Sequence, residues 1–339
     1  MPGAGERAYA YAKACGIIGK SFVGKRAGNL SRAARLSELD RLVFPVSSRD
    51  LPEKELLSDL EGRLIKRAAD SIIAVVDSFR KPPELFSLLI RSYEYADLKS
   101  ALTAAAGGTA KPAFTGIGRF GTVRFSAWPD IPAMIRGTEF EFLLNKNGEL
   151  DKENSGITLQ TELDRRYYRA LWKALRRLSA RDRRASEFIL SEEIALKNAV
   201  WALRLRTYYE MKADAIRSHL IDIAVPMKGR QVSLAADAFA CLELPLDSRQ
   251  AWKGWRRESF LNPGLGEWRA DPRYFQNAAA QYLYRLARRS FRADPFSLDT
   301  VFCFIKIKQF EEDVLTSSAE GLGLGMTSRD VFAMLGVES

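Results

Sequence analysis

The stretch Asp299–Leu335, DTVFCFIKIKQFEEDVLTSSAEGLGLGMTSRDVFAML, decides how the rest of the chain is read. Phe304, Ile307, Phe310, Val314 and Leu315 recur at helical spacing and line a broad apolar face. Phe302, Ile305, Gln309, Glu312 and Thr316 share another. A helix with such a stripe must bury it against neighbours. Gly321, Gly323 and Gly325 are expected to end it, and Thr327-Ser328-Arg329-Asp330 to restart a capped helix closing at Leu335.

Working outward, the same periodicity predicts a helix over Arg7 to Cys15 continuing past Gly16 towards Phe22, and helices over Leu57 to Phe79, Glu84 to Ala105 and Leu159 to Leu178. It also predicts one from Ser31 to Phe44 with Ser31 as cap, one over Ser186 to Ile223, and one from Asp271-Pro272 to Phe291. Val225 to Val232 reads as a loop, and Ala235 to Phe260 as two short helices. No stretch alternates convincingly as a strand, so the expected class is all-α.

Weaker copies of the closing helix occur upstream. Tyr93-Glu94-Tyr95-Ala96-Asp97-Leu98-Lys99, Glu193-Ile194-Ala195-Leu196-Lys197-Asn198 and Lys308-Gln309-Phe310-Glu311-Glu312 each set charged or amide residues amid apolar ones. Asp97, Lys197 and Glu311 are spaced by 100 and 114 residues. Glycine-containing turns open each third: Gly16 to Gly24, Gly116 to Gly121, and Lys228-Gly229. The expectation is three similar helical-bundle lobes, 1–115, 116–225 and 226–339, with approximate threefold pseudo-symmetry.

At 339 residues the chain exceeds the size of a single core. No apolar run approaches the roughly 18 residues needed to cross a bilayer. The N-terminus lacks a charged-then-apolar leader pattern, so export is not expected. Cys15, Cys241 and Cys303 are too dispersed for a disulfide framework or a metal set. The net charge of +10 favours an acidic partner but says nothing of mechanism.

Several motif matches fail on context. Ala14-Cys15-Gly16-Ile17-Ile18-Gly19-Lys20-Ser21 ends like a phosphate loop, but a helix precedes it where a strand is needed. Ile72 to Asp77 resembles a magnesium-aspartate strand but continues the helical period from Leu57. Gly116-Ile117-Gly118-Arg119-Phe120-Gly121 fits a dinucleotide fingerprint but opens no helix. Asp151 to Gly156, with Glu162, only partly fits a calcium loop. His219 is the single histidine, and no nucleophile elbow accompanies it. No catalytic, cofactor or metal residues are expected.

The unusual charge feature is a basic strip. Arg165, Arg166, Arg169, Lys173, Arg176 and Arg177 lead on to Arg181, Arg183 and Arg184, with Tyr167, Tyr168 and Trp172 interleaved. It could dock an acidic protein surface or nucleic acid phosphates, or be a solvated face with aromatics packed opposite. Trp252-Lys253-Gly254-Trp255-Arg256-Arg257 is a smaller patch of the same kind. A helical nucleic-acid-binding protein is the competing functional reading, and an NTPase using Lys20 is a second.

The whole chain resembles the C-type subunit of the vacuolar/archaeal-type rotary ATPases, the d-type subunit in the eukaryotic enzyme. The residues that carry this are Tyr9-Ala10-Tyr11-Ala12, Tyr95-Ala96-Asp97-Leu98-Lys99 and Leu163-Asp164-Arg165-Arg166-Tyr167-Tyr168. Further on come Ile194-Ala195-Leu196-Lys197-Asn198, Ile307-Lys308-Gln309-Phe310-Glu311-Glu312-Asp313 and Gly321-Leu322-Gly323-Leu324. The resemblance implies a funnel of three lobes and a non-catalytic coupling part with no cofactor. Its implied partners are D- and F-type central-stalk subunits and a c/K-type membrane rotor ring, not nucleic acid. It would lie peripherally on the cytoplasmic face of the membrane, and the Arg165 to Arg177 strip is the nominated partner interface.

Overall fold

The computed structural model describes residues 2–151, 156–227, 229–264 and 267–335. Helices α1 (Ala4–Ile18), α2 (Leu36–Val43), α3 (Glu53–Val76) and α4 (Glu84–Gly107) come first. A long connector holds isolated 3₁₀ turns and α5 (Ile131–Ile135), capped by the Asp130 carboxylate. Then follow α6 (Gly156–Arg176), α7 (Arg184–Tyr209) and α8 (Ala213–His219). Strands β1 (Ala224–Met227) and β2 (Arg230–Ser233) form an antiparallel hairpin with Val225 opposite Val232. The chain continues through α9 (Ala236–Glu243), α10 (Pro272–Ser290), α11 (Leu298–Gly323) and α12 (Ser328–Leu335). The all-α class holds, with a single two-stranded hairpin among the described residues.

Helix α11 is the hub because it is apolar on most sides, which forces burial all round. Phe302, Phe304, Ile305, Ile307, Val314 and Leu315 are buried, so the broad apolar face lies inside, while Gln309, Glu312 and Thr316 leave the other face half-buried. Each such side chain contributes about 1.5–3 kcal/mol when fully buried. The helix packs on α3, α10, α12, α1 and α7. Its first half enters a core shared with α1, α3, α4 and α6. Its second half enters another with α2, the start of α3, and α12. A third core, centred on Trp252, joins the end of α7 to α8, α9 and α10.

Three local expectations are corrected. Ser31 does not cap a helix: its hydroxyl donates to Gly28 O at 2.7 Å within a 3₁₀ segment, Gly24–Arg32. Extended backbone at Ala33 and Arg35 then turns Leu30, Ala33 and Leu36 into the core. The helix expected to reach Ile223 stops at Tyr209, where Glu210 turns left-handed (φ 51°) and Met211 N–H closes on Leu205 O at 3.1 Å. Exposed Tyr208, Tyr209, Glu210 and Lys212 give no apolar stripe to carry it on. The expected loop at Val225 to Val232 holds the hairpin instead. As expected, the glycine cluster ends α11, at Gly323.

Candidate functional site

The three charged motifs flagged in the sequence fall on α4, α7 and α11, and the fold brings them together. Asp164 on α6 lies between Lys99 of α4 (2.6 Å) and Lys197 of α7 (3.2 Å). Burial pushes the Asp164 carboxyl up, but the two ammonium groups outweigh it and hold it below the usual carboxylate range. Burial also holds the Lys99 ammonium below its ordinary value, against the pull of Asp164. Glu193 of α7 meets Lys306 of α11 at 2.7 Å and accepts from Tyr168 Oη at 3.0 Å. Tyr93 Oη of α4 donates to Glu312 of α11 at 2.7 Å. Every pair of motif helices is thus joined through side chains.

Each motif also grips the backbone of a connector. Glu94 accepts the N–H groups of Thr122 and Val123. Asp97 accepts Thr115 N–H at 2.8 Å and its hydroxyl at 3.0 Å. Asn198 accepts Ile221 N–H at 2.7 Å and donates to Ile221 O at 2.9 Å. Glu311 accepts Phe22 N–H at 2.8 Å. All four side chains are buried, so these bonds hold the connectors where water cannot compete.

A cleft of about 300 Å³ opens among Tyr168, Glu193, Lys197, Arg204, Gln276 and Asp313. Asp313 reaches solvent there but is walled by protein. The loss of hydration pushes its carboxyl up to about 6, against Lys306. Burial raises neighbouring Glu312 to about 8, against the Tyr93 hydrogen bond. The two carboxyls serve different surroundings, one the Tyr93 hydroxyl and the other the cleft. Around them Asp164 and Glu193 already face cations. The arrangement fastens helices to one another.

Residues 48–331 match the family described as ATP synthase (C/AC39) subunit. The chain belongs to that family. It is the C/d-type family of V/A-type ATPases, a structural part of the ATPase, as the resemblance led one to expect. An "Uncharacterized protein" of Treponema pallidum (strain Nichols) is 29% identical over 322 residues, which cover 94% of this chain and 92% of the relative. No described helix is long and apolar enough to cross a membrane.

In this C/AC39-family chain the basic strip is engaged largely with acids of its own. Arg165 and Arg166 both pair with Glu162, and Arg166 lies over the Phe142 ring at 3.6 Å. Arg176 meets Glu187 at 2.5 Å and Arg177 meets Glu84. Arg169 and Lys173 are exposed and form no ion pair among the described residues. Tyr167 and Tyr168 are buried on the opposite side. In the smaller patch Trp252 is wholly buried, and Arg257 is clamped by Glu192 (2.7 Å) and Asp237 (2.8 Å).

Motifs set aside on context fall in line with that reading. Residues 4–18 before Lys20 are helical, Ile72 to Val76 end α3, and 116–121 is a connector with one 3₁₀ turn. His219 Nδ1 lies 2.9 Å from Thr161 Oγ1. Residues 152–155 of the partial calcium pattern lie outside the described residues. Sequence reading missed the Glu192–Arg257 clamp, and it missed Asp299, which accepts Ala185 and Ser186 N–H at the start of α7. Asp164 did carry a signal: it shares a helical face with Tyr167, Tyr168 and Leu171, all buried.

Proposed function

We propose that this protein is the non-catalytic central-stalk adaptor of a V/A-type rotary ATPase. It couples the soluble motor's shaft to the membrane ion-translocating rotor ring. One observation carries this reading: α4, α7 and α11 are cross-tied through Asp164, Glu193 and Glu312, and each grips a connector. A torque-bearing spacer needs helices that cannot slide, and buried charge pairs with defined partners resist sliding. The division into lobes 1–115, 116–225 and 226–339 around a funnel belongs to this proposal, supported by the recurrence of connector-holding side chains.

The partners are D- and F-type shaft proteins and a c/K-type ring, with the chain peripheral on the cytoplasmic face. Within the strip Arg165, Arg166, Arg169, Lys173, Arg176 and Arg177, the free charge lies at Arg169 and Lys173. Rim charges of this kind act on association rate and salt dependence. A tagged chain expressed with its complex should co-purify with shaft and ring proteins. Recovery of neither would overturn the adaptor reading.

A further inference from the structure

A second basic face carries charge that no acid among the described residues pairs with. No acidic residue occurs from Gly19 to Ser37 or from Pro272 to Ala293. Lys20, Lys25, Arg26 and Arg32 in the first segment are exposed. So are Arg285, Arg288 and Arg289 on α10 and Arg292 just beyond it, at the three- and four-residue spacing of one helix face. None of these eight forms an ion pair among the described residues. The fold sets the two segments side by side: a Cβ built on Gly24 would lie 3.3 Å from Arg288 Nη1. By contrast, four of the six nominated cations of the basic strip are already paired.

We propose that this acid-free face docks on the anionic headgroups of a phospholipid bilayer, and so marks the side of the protein that faces the membrane. This rests on reading the chain as a part that sits beside a membrane rotor. The kind of partner follows from what the face lacks. A protein interface is built around buried aromatic and aliphatic anchors ringed by polar groups. Here the large apolar side chain exposed along the two segments is Tyr274, at the far end of α10. A surface of long, mobile cations without an apolar centre matches a fluid sheet of negative charge, where attraction adds per cation and no shape need fit.

Co-sedimentation of the purified full-length chain tests this. Vesicles of phosphatidylcholine are compared with vesicles containing about one-third phosphatidylglycerol, at about 0.1 M salt. Binding is expected with the anionic vesicles alone and should fade as salt rises. Arg288→Glu/Arg289→Glu should weaken it roughly ten-fold or more, and Arg288→Gln/Arg289→Gln by about half as much on a logarithmic scale. Arg169→Glu/Lys173→Glu removes the same charge elsewhere and should leave most of the binding. Equal loss in both charge-reversed variants would reduce the effect to net charge and overturn the proposal. So would wild-type binding to neither vesicle, or to both alike. If the α10 variant instead loses shaft or ring proteins on co-purification and keeps its vesicle binding, the face belongs to an acidic protein surface. Vesicle binding is read on the isolated chain and assembly by co-purification, so either reading can fail alone.

Discussion

The Lys308 ammonium and the Glu311 carboxylate, one turn apart on α11, meet inside the protein with 1% of each side chain exposed. Glu311 also faces Arg67 of α3 at 3.2 Å and takes the Phe22 amide, while Lys308 donates to Ser21 Oγ at 3.2 Å. The pair therefore fastens the segment after α1, and α3, to the hub helix. Removing one partner of such a pair costs about 3–5 kcal/mol, since the other charge is left unmatched in a dry place. Glu311→Gln should lower unfolding free energy by about 3 kcal/mol in a urea titration. Lys308→Met should cost less, because Arg67 and the Phe22 amide still face the carboxylate. An unchanged urea midpoint for Glu311→Gln would remove this account.

Asp164 gives a milder case, because Lys99 and Lys197 keep 25% and 33% of their side chains in water. Asp164→Asn should cost about 1–3 kcal/mol, and adding Lys99→Met should cost less than the sum of the two single changes. The Asp164 carboxyl is held below its ordinary value in the folded state. Its contribution is therefore present above the unfolded value and lost as pH falls through the folded one. Acid unfolding of the wild type should show this loss below about pH 4, and Asp164→Asn should lack it.

Glu312 works with the opposite sign. Its carboxyl is raised to about 8 when folded. The folded chain therefore holds a proton that the unfolded chain releases near pH 4.5. Stability from this group is full at low pH and declines as pH climbs from the unfolded value through about 8. Glu312→Gln keeps the shape without the ionisation, so its stability relative to wild type should rise across that range. Thermal melts at several pH values check this, and parallel curves would refute it.

What could be read from the sequence was what repeats at helical period. The motifs on α4, α7 and α11 stood out because charged residues inside an apolar stripe have to be satisfied by something. Their partners were harder to see: Glu84, Glu187 and Asp294 neutralise arginines of the basic strip from other parts of the chain. Pattern along the chain carries no trace of that. The hairpin was legible in hindsight. Ile221, Ile223 and Val225 are buried while Asp222, Ala224 and Pro226 are exposed, a period of two. It was too short to stand against the helical period leading into it. The stop at Glu210 had no proline or glycine to announce it.

Gly321 is where backbone proximity decides a residue. A Cβ there would sit 2.3 Å from Val331 Cγ2, on α12, which closes the core shared with α2 and the start of α3. The glycine thus lets α12 lie directly on α11, where Val331, Phe332 and Leu335 are buried against Leu315 and Leu322. Helix propensity alone would make Gly321→Ala stabilising by about 1 kcal/mol. The clash should win, because β-branched Val331 cannot swing clear and α12 must shift, at a cost of about 1–3 kcal/mol. Val331→Ala alone removes two buried methyls and should also destabilise. Combined, Gly321→Ala/Val331→Ala should be more stable than the sum of the single losses, since the new methyl fills the space vacated. Urea unfolding of the four proteins measures that coupling, and strict additivity would mean the two residues do not press on each other.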